Sequence, residues 1–497
     1  MSHSPTITAS MPSTPQASEG APTIAEREEK RAPNYTGAAG AGAAPAKGAA
    51  APGAPVAGQP GFAAPPDKYA YHFFSPEVKL FRQVVFKILG STLVLTIILM
   101  WLCLPFYWGS LWKANVYTDK LTVRVIDRDG GPIGQTVSSF LLNQTHQLRY
   151  FVTPPEEFPT FADVEHNIVQ EGAWAAVVIN AGASDNLTAA RINGDATYNG
   201  THAISIVYAQ ARSETAVGSY LFPLMSAHIA AITGRLTTQY AGQYLASIGN
   251  NATAVAALAA APQTLTQGVA YTFYNIRPYN QPVATAITLV GLIYMLIFSF
   301  IMTMTNNAAR EVIGPYLTNR AYIAYRILAP LVLYFVISFF FAMINLPFKV
   351  HFGAHFTYAG GYFLWWFVLF LGMTAVGYAT EFAITIVGPK FVSFFLVPLI
   401  IANVSVVTLP HELQPWIFRY GVAMPFYNCS RIVRTIIFNT KAEFGKDIGI
   451  LLGWIGTSMI TISLATLWFR RKANKSQKSQ DEGQLELQRV LSDGRVV

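Results

Sequence analysis

Charge is scarce in this 497-residue chain: Asp, Glu, Lys and Arg together make up 12% of it, about half the share usual in soluble domains. Beside 52% hydrophobic residues, that scarcity excludes an ordinary soluble globular protein. Cysteine is scarcer still. Cys103 and Cys429 are the only two, too few for a disulfide framework or a cysteine metal cluster, although a single bridge between them is left open. A nucleotide-binding G-x-x-x-x-G-K-[ST] loop is missing too, because Gly445-Lys446 lacks the upstream glycine, so the chain carries no recognisable ATPase of its own. His411-Glu412 begins like a zinc-protease motif, but Pro415 stands where the second histidine is required. No G-x-S-x-G elbow occurs. His351 and His355 would flank a metal on a helix, but beside Gly353 they read as loop histidines. The expectation is a protein that is not an enzyme and holds neither cofactor nor metal.

What the chain has instead is long apolar runs. The first, VVFKILGSTLVLTIILMWLCLPFYW, ends at Trp108, and about 20 such residues in a helix cross the hydrocarbon core. Lys79, Arg82 and Lys87 precede it, while Phe106, Tyr107, Trp108 and Trp112 follow. Basic residues favour the cytoplasmic side and aromatics an interface, so the N-terminus is expected inside. Five further spans are predicted at 283–304, 327–346, 362–383, 391–409 and 448–469. Six spans return the C-terminus to the cytoplasm, in agreement with Arg470, Arg471, Lys472 and Lys475 after the last run and Arg310, Arg320 and Arg326 between the second and third. The formal charge of +8 is read as orienting charge, and nucleic acid is not an expected partner. One loop runs against the rule. Residues 410–447 carry Arg419, Arg431, Arg434, Lys441 and Lys446, yet six spans place them outside.

The fold class that follows is an α-helical polytopic membrane protein with about six transmembrane helices and an α/β extracytoplasmic domain between the first and second. Its parts are a disordered cytoplasmic tail at 1–78, the first transmembrane helix at 84–108, the α/β domain at 109–281, a five-helix transmembrane domain at 282–469 with the external loop 410–447, and a cytoplasmic tail at 470–497. The first tail is rich in Ala, Pro, Gly and Ser and cannot bury enough apolar surface to order itself; no cleavable leader is expected, because the first apolar run lies far inside the chain. In the α/β domain, β-branched runs near 121–127, 149–153, 174–180, 203–211 and 269–276 alternate with helical stretches near 134–148, 160–171, 184–191 and 213–249. Four N-x-S/T sequons, at Asn143, Asn186, Asn199 and Asn251, fall there and predict glycosylation on a lumenal surface. Asn34 and Asn403 head chance matches, one in the tail and one in a span.

Polar groups at membrane depth are costly and therefore informative. Glu381 lies near the inner end of the fourth span, Asn306, Asn307, Arg310 and Glu311 follow the second, and Lys390 opens the fifth. They are either interfacial anchors or an inner polar cluster of Glu381, Lys390, Arg310, Glu311 and Asn306, in which Lys390 and Arg310 are the expected cations for Glu381. In the loop, Ile432, Val433, Ile436 and Ile437 recur at helical spacing around Arg431 and Arg434, predicting an amphipathic helix that lies in the outer interface or dips back into it.

This arrangement resembles the membrane component of ABC-2-type exporters and the bacterial phage-infection-protein group, and more closely the fungal nitrosoguanidine-resistance membrane proteins. The residues that carry the resemblance are VRVIDRDGGPIGQ (Val123 to Gln135), the Asn-Asn-x-x-Arg-Glu stretch from Asn306 to Glu311, and MPFYNCSRIVRTIIF (Met424 to Phe438). It covers about residues 80 to 470, implies a part in resistance to toxic compounds, and supplies no catalytic residues. Two functions are expected from it: transport of amphipathic molecules or lipids, or a non-transporting organiser or adaptor that binds a partner protein. The expected partners are membrane lipids, amphipathic small molecules, and a second copy or a separate protein. The expected location is the plasma membrane, with the endoplasmic reticulum as the alternative.

Overall fold

The structure is a computed structural model that describes residues 71–144 and 147–492; most of the tail expected at 1–78 lies outside the described residues. The first helix, α1 (Lys79–Leu111), contains the first expected span and buries only Cys103 and Ser110. Leu93, Ile98 and Leu102 are exposed along it, which is the behaviour of a helix solvated by lipid. It touches the rest of the protein near its end, where the Phe106 ring lies 4.8 Å from that of Phe418.

The next segment builds an α/β domain. Five strands, β1 (Thr122–Asp127), β2 (Arg149–Thr153), β3 (Ala175–Ile179), β4 (Ile204–Tyr208) and β5 (Tyr271–Asn275), form one sheet in the order β2-β1-β3-β4-β5. All neighbours are parallel except β3 and β4. β3 reads AAVVI and is buried on both faces, as a covered parallel strand requires. Helices α2 (Pro132–Leu142), α4 (Ala183–Asn193) and α5 (Phe222–Ile248) place Val137, Leu187, Met225 and Ile229 in the core on one face; α3 (Phe161–Val169) places Val164 and Ile168 in the core on the other. The short helix α6 (Ala252–Ala260) follows, capped by Asn251.

The α-helices after β5 are α7 (Gly291–Ile313), α8 (Asn319–Met343), α9 (Tyr358–Val387), α10 (Ser393–Val404), α11 (Pro425–Phe438) and α12 (Phe444–Ser492). Thr318 and Thr357 accept the first backbone N–H groups of α8 and α9, the expected work of N-cap residues. Among the described residues six helices are long and apolar enough to cross a membrane: Pro76–Leu111, Glu214–Ile248, Ala286–Tyr316, Asn319–Met343, Tyr358–Val387 and Phe444–Glu486. Five of these coincide wholly or largely with expected spans. The sixth, Glu214–Ile248, belongs to the α/β domain, where its apolar face covers the sheet. α9 is the centre of the bundle and is buried for most of its length. Gly377 lets α8 approach it; a Cβ there would collide with the Tyr334 hydroxyl.

Two expectations are corrected. The run at 391–409 is not one long helix: only twelve of its residues are α-helical, about 18 Å of rise, and it is not among the six long apolar helices. The rest is a turn. Gln414 donates from Nε2 to the Ser405 carbonyl at 2.6 Å, and Asn403 Oδ1 accepts from the Phe426 N–H at 3.2 Å. Irregular backbone survives at membrane depth only when protein satisfies it in this way. Its near end packs at Val392 against Ala383 and Ile384, and Leu409 and Leu413 beyond its far end join the core of the α/β domain. The second correction concerns α11. Of the two placements expected for it, flat in the outer interface or dipping back, the first is ruled out, because twelve of its fourteen residues are buried among α9, α10, α12 and the turn before α7.

The basic residues of loop 410–447 now have a structural account. Arg434 pairs with Glu214 at 2.5 Å, and Glu412 of the same loop pairs with Arg212 at 3.3 Å. Arg431 and Lys441 both bind Glu443, at 2.8 Å and 2.7 Å. Lys441 beside it holds the Glu443 carboxyl down at about 2, with Arg431 and Lys446 adding to the effect against partial burial. The Arg434–Glu214 and Glu412–Arg212 pairs fasten the loop to the α/β domain, and the Glu443 pairs brace the loop internally, so loop and domain share one end of the bundle. Arg434→Gln removes one partner of a mostly buried pair. It is expected to cost about 1–3 kcal/mol, read as a lower unfolding temperature of the purified protein, whereas Arg419→Gln, at an exposed position, is expected to change nothing. Equal effects of the two would contradict this assignment.

Candidate functional site

At the opposite end of the bundle α7, α8, α9 and α12 converge on one carboxylate. Glu381 is fully buried on α9. Its Oε1 accepts from Arg326 Nη2 at 2.6 Å and Nε at 2.9 Å, and also from Arg310 Nη1. Arg326 comes from the first turns of α8 and Arg310 from the last turn of α7. Arg326 further donates to Thr466 Oγ1 on α12 at 2.7 Å, to the Glu381 carbonyl at 3.2 Å and to Thr385 Oγ1. Arg310 donates to Asn307 Oδ1, and Asn307 Nδ2 donates to Glu311 Oε1 at 3.0 Å. Both guanidiniums are almost sealed from solvent. Glu381 Oε2 and Asn306 Nδ2 are buried without a partner.

Of the five residues expected here, Glu381, Arg310, Glu311 and Asn306 fall in or beside one cluster. Lys390 does not. It stands in the turn between α9 and α10, exposed, with its Nζ 5.7 Å from the Phe391 ring centre. Arg326 takes the role assigned to Lys390. Helical geometry explains the exchange, because the start of an antiparallel neighbour lies beside the end of α9, whereas Lys390 lies beyond Gly388 and the helix end. An arginine within three residues of the start of an apolar span was the available signal.

The sequons also have positions. Asn143, Asn186, Asn199 and Asn251 are all exposed on the α/β domain, and Asn186 and Asn199 line one 270 Å3 concavity. Asn403 is buried, as is Asn428, which heads an Asn-Cys-Ser sequon. The Asp127-x-Asp129-Gly130-Gly131 turn sits where β1 leaves the sheet. Asp127 Oδ1 accepts from the N–H groups of Asp129 and Gly130, each at 3.0 Å. Asp129 binds Ser184 through the hydroxyl at 2.6 Å and the amide at 2.9 Å. The crevice between β1 and β3, where an open α/β sheet commonly binds ligands, is thus bridged by the Asp129–Ser184 hydrogen bonds. His355 bonds Asn439 at 2.6 Å through Nδ1.

A second feature was not foreseen from the sequence. A 520 Å3 cavity lies at the α/β-domain end of the bundle, between the start of α7 and the end of α8. Val283, Ile287, Tyr294, Phe298, Phe341 and Phe348 line it, with Trp365 of α9 at its base. A π-helical turn, Ala286–Val290, shapes one wall; such turns widen a helix locally. Trp365 Nε1 and Thr288 Oγ1 are buried without partners. No sequence period announces this cavity, because it arises where two helix ends splay.

A protein-family model described as "Protein of unknown function (DUF3533)" matches residues 92–460. An uncharacterized endoplasmic reticulum membrane protein of Saccharomyces cerevisiae is 25% identical over 432 residues, covering 80% of this chain and 83% of the relative. No solved structure matches.

Glu381→Gln is expected to strand two buried guanidiniums and cost about 3–5 kcal/mol, so its effect is structural before it is functional. Arg310→Gln, which leaves Glu381 with Arg326, is expected to cost less, and Lys390→Gln to stay within about 0.5 kcal/mol of wild type. Thermal unfolding of the three purified variants gives the order. A Lys390 effect as large as that of Glu381 would remove the cluster as drawn.

Proposed function

This chain belongs to the DUF3533 family of proteins of unknown function, a multi-pass membrane protein, and on that footing we propose that it takes amphipathic molecules, lipids among them, from the bilayer. The 520 Å3 apolar cavity carries the reading. Tyr294, Phe298, Ile344 and Phe348 are exposed around it, so its mouth faces the hydrocarbon rather than water. An acyl chain or flat apolar ring buried there contributes about 25 cal/mol per Å2. The unpartnered Trp365 indole N–H at its base suits an ester or ether oxygen. Movement of such molecules is consistent with a part in resistance to toxic compounds, which the resemblance to the nitrosoguanidine-resistance proteins implies. The action is non-enzymatic in this reading.

The same reading places the α/β domain in the lumen and both chain ends in the cytoplasm, supported by the exposed sequons and the basic flanks of α1 and α12. The relative's name favours the endoplasmic reticulum over the plasma membrane. A second reading, adaptor rather than transporter, is favoured by α12. It is 49 residues long, roughly 74 Å, and beyond Arg470 it continues as an exposed polar helix that a partner would cover.

Purified protein in liposomes is expected to bind a fluorescent acyl-chain probe and accelerate its movement between leaflets. Val283→Trp, which fills the cavity, is expected to weaken binding by about tenfold, equivalent to 1.4 kcal/mol. Wild-type binding by that variant would overturn the cavity assignment, and binding without movement would favour the adaptor. Separately, changing Asn143, Asn186, Asn199 and Asn251 together to Gln is expected to abolish the glycosidase-sensitive mass shift. A full remaining shift would place the glycans elsewhere and withdraw the lumenal assignment.

A further inference from the structure

Three guanidiniums meet at the Glu381 end of the bundle. A 260 Å3 cavity there is lined by Arg310, Arg326 and Arg470, with Asn307, Thr385 and Thr466 among them. Arg310 and Arg326 share one oxygen of Glu381. Arg470, on α12, has no carboxylate within ion-pair distance among the described residues. It is held by neutral groups: the Leu317 carbonyl at 3.0 Å, Asn319 Oδ1 at 3.1 Å and the Gly314 carbonyl. Its guanidinium lies 4.0 Å from the Tyr322 ring centre. Those contacts fix its direction without cancelling its charge.

The lining therefore holds three fixed positive charges against the single carboxylate of Glu381. Counting Glu311, held by Asn307 behind the cavity, the excess is still positive, and Arg320, Arg471 and Lys472 at the same end are exposed and add to the field. An uncompensated cation is costly at low dielectric and draws in an anion. Planar guanidinium forks suit a tetrahedral oxyanion, which takes paired N–H donors, better than they suit chloride. The Thr385 and Thr466 hydroxyls add polar groups to the wall. The cavity opens where α12 leaves the apolar run and becomes a polar helix, the depth at which lipid phosphates lie.

We propose that this cavity binds a phosphate group, and its depth makes a phosphomonoester lipid of the adjoining leaflet the favoured source over free phosphate. It stands at the other end of α8 from the apolar cavity and does not rest on the transport reading. Its role is to neutralise the arginine cluster and tie α7, α8, α9 and α12 together.

The test uses the full chain in an uncharged maltoside detergent without phosphate. Phosphatidic acid is expected to raise the unfolding temperature, and diacylglycerol with the same tails is expected not to. Arg470→Gln is expected to remove the phosphatidic acid effect, and Arg471→Gln to keep it. Inorganic phosphate producing the full shift would support the anion site and overturn the lipid as its source. No shift with either phosphate form, or an undiminished shift in Arg470→Gln, would overturn the site. Should Arg470→Gln fail to fold, native mass spectrometry of the wild-type chain decides: a retained phosphatidic acid adduct absent with diacylglycerol supports the site, and equal retention of both refutes it.

Discussion

The bundle depends on one carboxylate oxygen. Glu381 Oε1 accepts from Arg310 on α7 and Arg326 on α8, and Arg326 reaches Thr466 on α12. Four helices are thereby held in register at a depth where none of these groups tolerates solitude. Lipid gives helices no hydrophobic reason to prefer protein over solvent. Packing and buried polar contacts must supply both the attraction and the alignment. The close approach at Gly377 and Tyr334, with the Tyr334 hydroxyl bonded to Thr303 at 2.6 Å, continues the same seam toward the middle of the bundle.

The other end is organised by a different rule. There α11 is buried and the α/β domain rests on it through Arg434 and Glu214, while Arg212 of the domain reaches Glu412 of the loop. Arg212 also stacks 3.7 Å from the Trp174 ring centre, so the contact combines charge with aromatic surface. Of the basic residues of the loop, Arg434 joins domain to bundle, while Arg431 and Lys446 pair within the loop itself. Between the two ends α10 is short, and side-chain amides from Asn403 and Gln414 satisfy backbone groups around the turn that follows it. The chain tolerates a short helix there because the break is wrapped by protein.

These two ends suggest a division of labour. The domain-proximal end has an apolar cavity between splayed helices, and the far end has an arginine-lined one. Both sit beside α9, the helix buried on most sides, so a change in either must be felt by the same central element. Interiors packed in this way shift between discrete arrangements rather than deform smoothly.

The sequence by itself determined the apolar spans, the alternation of strands and helices in the α/β domain, and the places of Glu381 and Arg310 toward the ends of their helices. Each of these is carried by local composition and period, which a single stretch of chain expresses alone. Tertiary structure decided which cation meets Glu381, because Lys390 and Arg326 are equally basic in sequence and only helix packing separates them. It also decided that α11 is buried rather than interfacial. An amphipathic period states that a helix has two faces, but not whether lipid, water or the three carboxylates of Glu214, Glu443 and Asp447 will cover the polar one. Both cavities belong to the same class: they are spaces between elements, and no residue encodes a space until its neighbours have taken their places.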